Sequence, residues 1–393
     1  MKILVQKFGG TSLQSESARL MAIGKIRAAK DAGYHPVVVV SAVGRKGDPY
    51  ATDTLLDAAR RAHIKIPARE KDLLLSCGEI ISAVLMTQML AADELDAVAL
   101  TGGQAGIITD QQYGSAKVNS VYTKKIWNYL EENKIPVIAG FQGITADFEI
   151  TTLGRGGSDT TAAIIATALE AEKIEIYSDV EGLMTADPRI VPKARFISEA
   201  SYTELVELAH KGAKIIHPFA VEQAQIANIP LSIKSTFTSA QGSEITRFKA
   251  NRPVTAVTSN NNILQFVLLN QKNSAKILTD LAEQGISLDM IDISPGQLSF
   301  LVIRECLHPV KKYLLQNGID YVLQEQMCKI SVIGSGMSGV PGVIAKISSA
   351  LQEKKIEIYK SMDSHTAISC LISRELEALA VQTLHKKFNL EKE

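Results

Sequence analysis

The chain has 393 residues, 46% of them hydrophobic, enough to bury the cores of two or three domains. Its 42 basic residues balance 42 acidic ones, so no global field draws it to nucleic acid or to a membrane surface. Cys77, Cys306, Cys328 and Cys370 have neither CxxC nor Cys/His spacing, which argues against a zinc site or a disulfide framework and for reduced thiols.

From Met1-Lys2 the sequence runs straight into a short apolar strand, Ile3 to Val5, without a long leader. Further strands are expected at Pro36 to Val40, Ala97 to Leu100, Pro136 to Ala139, Ile174 to Tyr177 and Leu231 to Lys234. Helical spacing fills the intervals: Ser15 to Ala32, Asp53 to Ala62, Ala68 to Leu90, Val121 to Asn133, Asp159 to Ala171, Tyr202 to Lys211 and Pro218 to Ala227. No apolar run is read as approaching the roughly 20 residues of a bilayer span, and a cytoplasmic protein is expected. Repeated strand-helix alternation predicts an α/β fold with a mainly parallel sheet covered on both faces, and ligands at the carboxyl ends of its strands.

Composition shifts around Thr236 to Val257, rich in Ser, Thr, Asn and Gly, which reads as a boundary. Beyond it two units of similar size repeat a strand-helix-strand-strand order. The helix end Asp280 to Asp289 resembles Ala350 to Tyr359. The expected division is a catalytic domain over 1–236, a linker over 237–257 and two small α+β modules over 258–325 and 326–393.

Two glycine turns carry the chemistry. Gly154-Arg155-Gly156-Gly157-Ser158-Asp159 combines a guanidinium, a carboxylate and backbone donors leading into a helix, a pattern suited to phosphate. It also describes an ordinary strand-to-helix turn with Asp159 as N-cap. Lys7, at the end of the first strand, precedes Gly9-Gly10, where an ammonium can reach an anion cradled by the turn. Neither turn is a P-loop, yet two of them with a cation and an Arg/Asp pair point to phosphotransfer. A third pattern, Gly334-Ser335-Gly336-Met337-Ser338-Gly339, matches GxGxxG. Too little chain follows it for a dinucleotide-binding domain.

Six segments in collinear order make the chain resemble the aspartokinases: Lys7 to Ser12, Ser76 to Glu79, Thr152 to Asp159, Ser178 to Gly182, Thr185 to Arg189 and Gly212 to Lys214. The resemblance is to the monofunctional bacterial type and covers the whole chain. It implies an amino acid kinase fold followed by two ferredoxin-like ACT domains. It also implies transfer of the γ-phosphate of MgATP to the β-carboxylate of L-aspartate, giving 4-phospho-L-aspartate for lysine, threonine and methionine biosynthesis.

By the same resemblance Lys7 and Asp159 are catalytic, and Lys7, Gly9, Gly10, Ser178, Asp179, Met184, Asp187, Arg189 and Lys214 meet the nucleotide. Met184 stands where many relatives carry tyrosine. Ser41, Thr52, Glu79, Arg155 and Ser158 would bind aspartate, with Arg155 on the α-carboxylate and Glu79 on the ammonium. Phe141 is either a pocket wall or a core aromatic. Mg2+ is expected to arrive with ATP, without a dedicated protein metal site. The ACT pair implies a homodimer and an amino-acid effector: lysine, threonine or diaminopimelate. The first module has Asn270 to Ser274 where effector-binding relatives carry Pro-Gly, whereas the second keeps Pro341-Gly342. Two other readings stay open: a related kinase using glutamate or N-acetylglutamate, and a catalytically silent amino-acid-binding regulator.

Overall fold

A computed structural model describes the chain except residues 213–214, 248–252, 272, 336, 338–340 and 393. It divides into two compact units. The first comprises Met1–Leu183, Phe196–Ala209 and Lys214–Ala250; the second comprises Met184–Arg195, His210–Ala213 and Asn251–Glu393.

The first unit is built on an eight-stranded sheet. From one edge its strands run Glu199–Ser201, Ser243–Thr246, Leu231–Ser235, Lys173–Ser178, Ile3–Phe8, His35–Val40, Ile135–Ala139 and Ala97–Leu100. All neighbours are parallel except Leu231–Ser235 against Ser243–Thr246. Val37 to Val40 are fully buried, as a central parallel strand covered on both faces requires. Ile3–Phe8 pairs with the next strand in sequence on one side and with Lys173–Ser178 on the other. The strand order therefore reverses at Ile3–Phe8, and its carboxyl end, with Lys7, opens into the crevice where such sheets bind ligands.

Helix Glu16–Asp31 is capped by Ser15, whose Oγ accepts the Ala18 N–H at 3.1 Å. Helix Ala68–Ala92 departs from expectation: by length and composition alone it is apolar enough to cross a bilayer. Here it buries Leu75, Ala83, Met86 and Leu90 in the unit and leaves Leu73, Val84 and Leu85 exposed. Its fully buried Asp72 accepts hydrogen bonds from the N–H groups of Gly114 and Thr152, both at 2.8 Å, and from the Thr152 hydroxyl at 2.9 Å. That clamp ties the helix to a second sheet, Val118–Val121, Ile107–Thr109, Gln142–Ile144 and Ile150–Thr152, which the sequence reading did not anticipate. One of its strands ends at Val121, so the helix expected from that residue starts only at Lys124.

The second unit holds two four-stranded antiparallel sheets. One is ordered Asp289–Ser294, Gly296–Ile303, Ile263–Gln271, Tyr321–Gln324; the other Ala256–Asn260, Met327–Ile333, Ala367–Ser373, Lys360–Asp363. The pairing redraws the expected division. Ala256–Asn260, assigned from composition to the linker and the start of the first module, forms the edge of the second module's sheet. The first module is thus inserted within the second. Apolar Ile263, Met290, Leu301, Met327 and Leu371 pack between the sheets. Buried Lys329 pairs with Asp289, and Lys360 donates to the Met290 carbonyl at 2.6 Å and the Ser299 hydroxyl at 3.0 Å. All four cysteines are free thiols, Cys328 and Cys370 buried.

Candidate functional site

Lys7 and Asp159 are brought together. Lys7 Nζ lies 2.6 Å from Asp159 Oδ1, with the two side chains 12% and 11% exposed. Asp159 sits in the first turn of helix Gly157–Ala168, where every residue from Gly157 to Thr161 is buried. Its Oδ2 accepts the backbone N–H of His217 at 3.1 Å. The carboxylate is therefore not the N-cap. Gly156 holds that position at φ +67°, and a Cβ there would lie 2.3 Å from the His217 Cβ.

The Gly9-Gly10 turn closes the other side. The Gly9 N–H donates to the Tyr177 carbonyl at 3.1 Å, and the Phe8 and Tyr177 rings stack with centroids 4.9 Å apart. A Cβ on Gly10 would approach the Gly44 and Ala42 carbonyl oxygens to 2.7 and 2.8 Å, so glycine is needed for the chain to pass. Below the turn lies a buried polar network. Glu175 accepts from Gln6 and the Tyr177 hydroxyl, each at 2.9 Å, and pairs with Lys234 at 2.5 Å. Burial alone would raise the Glu175 carboxyl, but Lys234 and the hydrogen bonds overcome it and the net shift is downward. Tyr177 is pushed up by burial and by that carboxylate.

Ser41 follows strand His35–Val40 and donates its N–H to the Phe8 carbonyl at 3.1 Å; the next residue, Ala42, donates to Glu79 Oε1 at 3.2 Å. The chain of contacts thus runs from the lysine strand to helix Ala68–Ala92. Glu79 is 3% exposed, and its Oε2 has no hydrogen-bond partner among the described residues. Desolvation raises its carboxyl to about 8, against the opposing pull of backbone hydrogen bonds. At neutral pH the group is therefore mostly a neutral carboxyl, with one oxygen satisfied and the other unpartnered among the described residues.

Ser158 is buried beside Asp159, Arg155 is exposed on the loop before the helix, and Thr52 is half-buried at the start of helix Thr52–Ala62. Phe141 carries a positive φ of 70°, held by its N–H on the Thr161 hydroxyl at 3.0 Å and its carbonyl accepting from Leu153 at 2.8 Å. That is uncommon backbone for an aromatic residue and marks a constrained segment next to the helix start.

Of the residues matched to nucleotide, Ser178 and Asp179 lie at and just beyond the end of strand Lys173–Ser178. Asp179 pairs with Arg45 at 2.6 Å, a partner the sequence reading missed. Met184, Asp187 and Arg189 fall in the second unit. There Arg189 forks onto Asp187, with Nε 3.0 Å from Oδ1 and Nη2 2.6 Å from Oδ2, which lowers the carboxyl and raises the guanidinium. Lys214 lies outside the described residues. His217 was also missed, because it acts on Asp159 through its backbone, which side-chain identity does not reveal. Among the described residues no group of three His, Cys, Asp or Glu is placed to hold a metal ion.

Residues 2–235 match the amino acid kinase family, and residues 322–386 match the ACT domain. Over its whole length the chain is 42% identical to aspartokinase 1 of Bacillus subtilis, which it also covers completely. It is 38% identical to the aspartokinase of Geobacillus stearothermophilus, covering all of this chain and 98% of that one. Among solved structures, the aspartate kinase of Synechocystis is 30% identical with a TM-score of 0.57, covering 100% of this chain and 70% of that one. E. coli aspartokinase III in complex with aspartate and ADP has the same fold, with a TM-score of 0.83 at 24% identity over 98% of this chain and 99% of that one.

Proposed function

Because the chain belongs to the amino acid kinase family, and within it to the aspartokinases, we propose that its aspartate phosphorylation is carried out around the Lys7–Asp159 pair. The carrying observation is that pair, 2.6 Å apart and largely withdrawn from solvent at the carboxyl end of the strand where the sheet order reverses. The acceptor carboxylate is already ionised at neutral pH, so no general base is required. Catalysis reduces to in-line alignment and charge neutralisation. Lys7 supplies positive charge to the phosphoryl group in transfer, and Asp159, fixed by the His217 N–H, holds that ammonium in place. The Gly9 and Gly10 turn lets the phosphates approach the backbone.

Arg155 takes the α-carboxylate of aspartate as a planar fork, Glu79 takes the ammonium on its unpartnered Oε2, and Ser41, Thr52 and Ser158 complete the pocket. Ser178, Asp179, Met184, Asp187, Arg189 and Lys214 receive the nucleotide. Mg2+ fits as part of MgATP, with phosphate oxygens as its main ligands, and supplies charge neutralisation there. ATP and aspartate are both cytoplasmic metabolites, which is where we assign the reaction.

An amino-acid effector is assigned to the second ACT module. A cavity of about 720 Å3 is lined there by Pro341, Gly342, Ser361, Asp363, Ser364 and His365. Gly342 opens helix Val343–Glu353 with φ +88°, so backbone donors face a carboxylate while Asp363 meets an ammonium. Lysine, threonine and diaminopimelate share this chemistry. Inhibitor titration discriminates them, and flat activity with all three removes the assignment. The ACT modules are also the proposed dimer contact, which a monomeric mass in light scattering would contradict.

The central test is hydroxylamine trapping of the acyl phosphate with aspartate, glutamate and N-acetylglutamate as acceptors. Aspartate-specific hydroxamate that disappears in Lys7→Ala and Asp159→Ala supports the site. Full turnover in either variant refutes it.

A further inference from the structure

We propose that His385 is a positioning residue for nucleotide binding, acting through Thr185 on the turn that carries Asp187 and Arg189. The inference rests on the assignment of that turn to the nucleotide. All of the residues concerned lie within the second unit.

Asp187 and Arg189 satisfy each other: the Arg189 N–H donates to Asp187 Oδ1 at 2.9 Å, and the guanidinium forks onto the same carboxylate. The turn is locally complete, so its direction is set by its flanks. Those flanks are held by the last helix of the chain, Glu377–Lys387, and the residues just after it. Thr185 is 2% exposed and His385 fully buried; Thr185 Oγ1 lies 2.8 Å from His385 Nε2. The same oxygen accepts the Arg195 N–H at 2.8 Å, and the Thr185 N–H donates to the Arg195 carbonyl at 2.8 Å, which closes the segment as a loop. The Thr185 carbonyl accepts from Val257 at 2.9 Å.

Further along, Gln382 Nε2 donates to the Ile190 carbonyl at 2.8 Å and Arg195 Nε to the Leu390 carbonyl at 3.3 Å. Ala186 and Val191 are buried in one core with Val257, Leu384 and Leu390. His385 is thus the buried polar contact that ties the start of this loop to the helix. Its Nδ1 has no hydrogen-bond partner among the described residues, and burial lowers its pKa, with Glu391 opposing and Arg195 adding to the shift. The neutral ring, whose Nε2 can accept a hydrogen bond from the Thr185 hydroxyl, is the favoured form. Loss of the contact frees the loop's direction without touching the aspartate-binding residues.

The test uses the full chain and measures KM for ATP and for aspartate, kcat and Tm in His385→Ala, His385→Gln, Thr185→Val, the His385→Ala, Thr185→Val double variant and Gln382→Ala, with Asp187→Ala and Arg189→Ala as references. Losing one buried hydrogen bond corresponds to a rise of about 3 to 10-fold in KM for ATP. The aspartate KM is expected to stay within about twofold. His385→Gln, which keeps a polar group near the Nε2 position, is expected to restore most of the ATP affinity. The His385→Ala, Thr185→Val double variant is expected to be no worse than the worse single one.

An unchanged ATP KM in His385→Ala beside a raised one in Asp187→Ala overturns the inference alone. Unchanged ATP affinity in Asp187→Ala and Arg189→Ala overturns the nucleotide assignment, and the inference with it. Parallel rises in both KM values with a lowered Tm mean that His385 is merely structural. Should His385→Ala fail to fold, Gln382→Ala, at an exposed contact on the same helix, is judged by the same criteria.

Discussion

Lys7 on a strand and Asp159 on a helix come from segments far apart in the sequence, yet their charged atoms lie 2.6 Å from each other with both side chains almost withdrawn from water. Because each orients the other, neither contributes independently. Lys7→Met and Asp159→Asn are each expected to lower kcat by roughly 100 to 1000-fold. The double variant is expected to fall no further than the worse single one. Single-turnover rates measure this, and additive losses would mean that the two side chains act separately.

Glu79 makes the protein pH-sensitive in a defined direction. Burial raises its carboxyl from the ordinary 4.5 to about 8, so the folded state holds a proton that the unfolded state has released. The resulting stabilisation is complete below the unfolded value and is lost as pH rises through about 8. Without substrate, the Tm difference between the wild type and Glu79→Gln should shift against the wild type between about pH 5 and about pH 9. An ammonium placed on Oε2 favours the ionised form, so aspartate should bind more tightly as pH rises across the same window. Calorimetric titration in which Glu79→Gln keeps that pH dependence would refute the role.

Two glycine-to-alanine changes should have opposite signs. At Gly10 a Cβ meets carbonyl oxygens at 2.7 and 2.8 Å, backbone atoms that cannot turn aside. A cost of about 1 to 3 kcal/mol and a loss of turnover are expected. Gly24, inside helix Glu16–Asp31, has nothing within 4 Å of its Cβ position. Gly24→Ala should therefore stabilise by about 0.5 to 1 kcal/mol. Urea unfolding of both variants decides the matter.

Asp72 is expected to matter for stability. It is fully buried and accepts three hydrogen bonds from Gly114 and Thr152. Asp72→Ala strands the buried Thr152 N–H and the part-buried Gly114 N–H and should cost about 2 to 4 kcal/mol, read from the urea midpoint. A change below about 0.5 kcal/mol would mean that the clamp contributes nothing.

Much of this was legible in the sequence. Short β-branched runs such as Val37 to Val40 read as central strands, and the glycine pairs marked both turns. What escaped had physical causes. The strands Ile107–Thr109 and Ile150–Thr152 are three residues long, too short to display a period. Ala256–Asn260 is half polar and reads as linker until its partner Met327–Ile333 is known. Asp159 was read as a possible cap because Asp favours that position, whereas Gly156 takes it and frees the carboxylate for Lys7. The Arg45–Asp179 pair and the His217 N–H on Asp159 depend on tertiary closure, for which local spacing carries no signal.

The interrupted second module also imposes an order on synthesis. Ala256–Asn260 leaves the ribosome before the inserted module, whose four strands all lie between Ile263 and Gln324, and its partner Met327–Ile333 leaves after it. The inserted module can therefore mature first. The edge strand stays unpaired until Met327–Ile333 emerges behind the inserted module, and Ala367–Ser373 and the helix Glu377–Lys387 then complete the same layer. A chain released early, short of that helix, would leave the Met184–Arg195 segment without the surface that orients it, so truncated products are marked as incomplete by their own exposed apolar face.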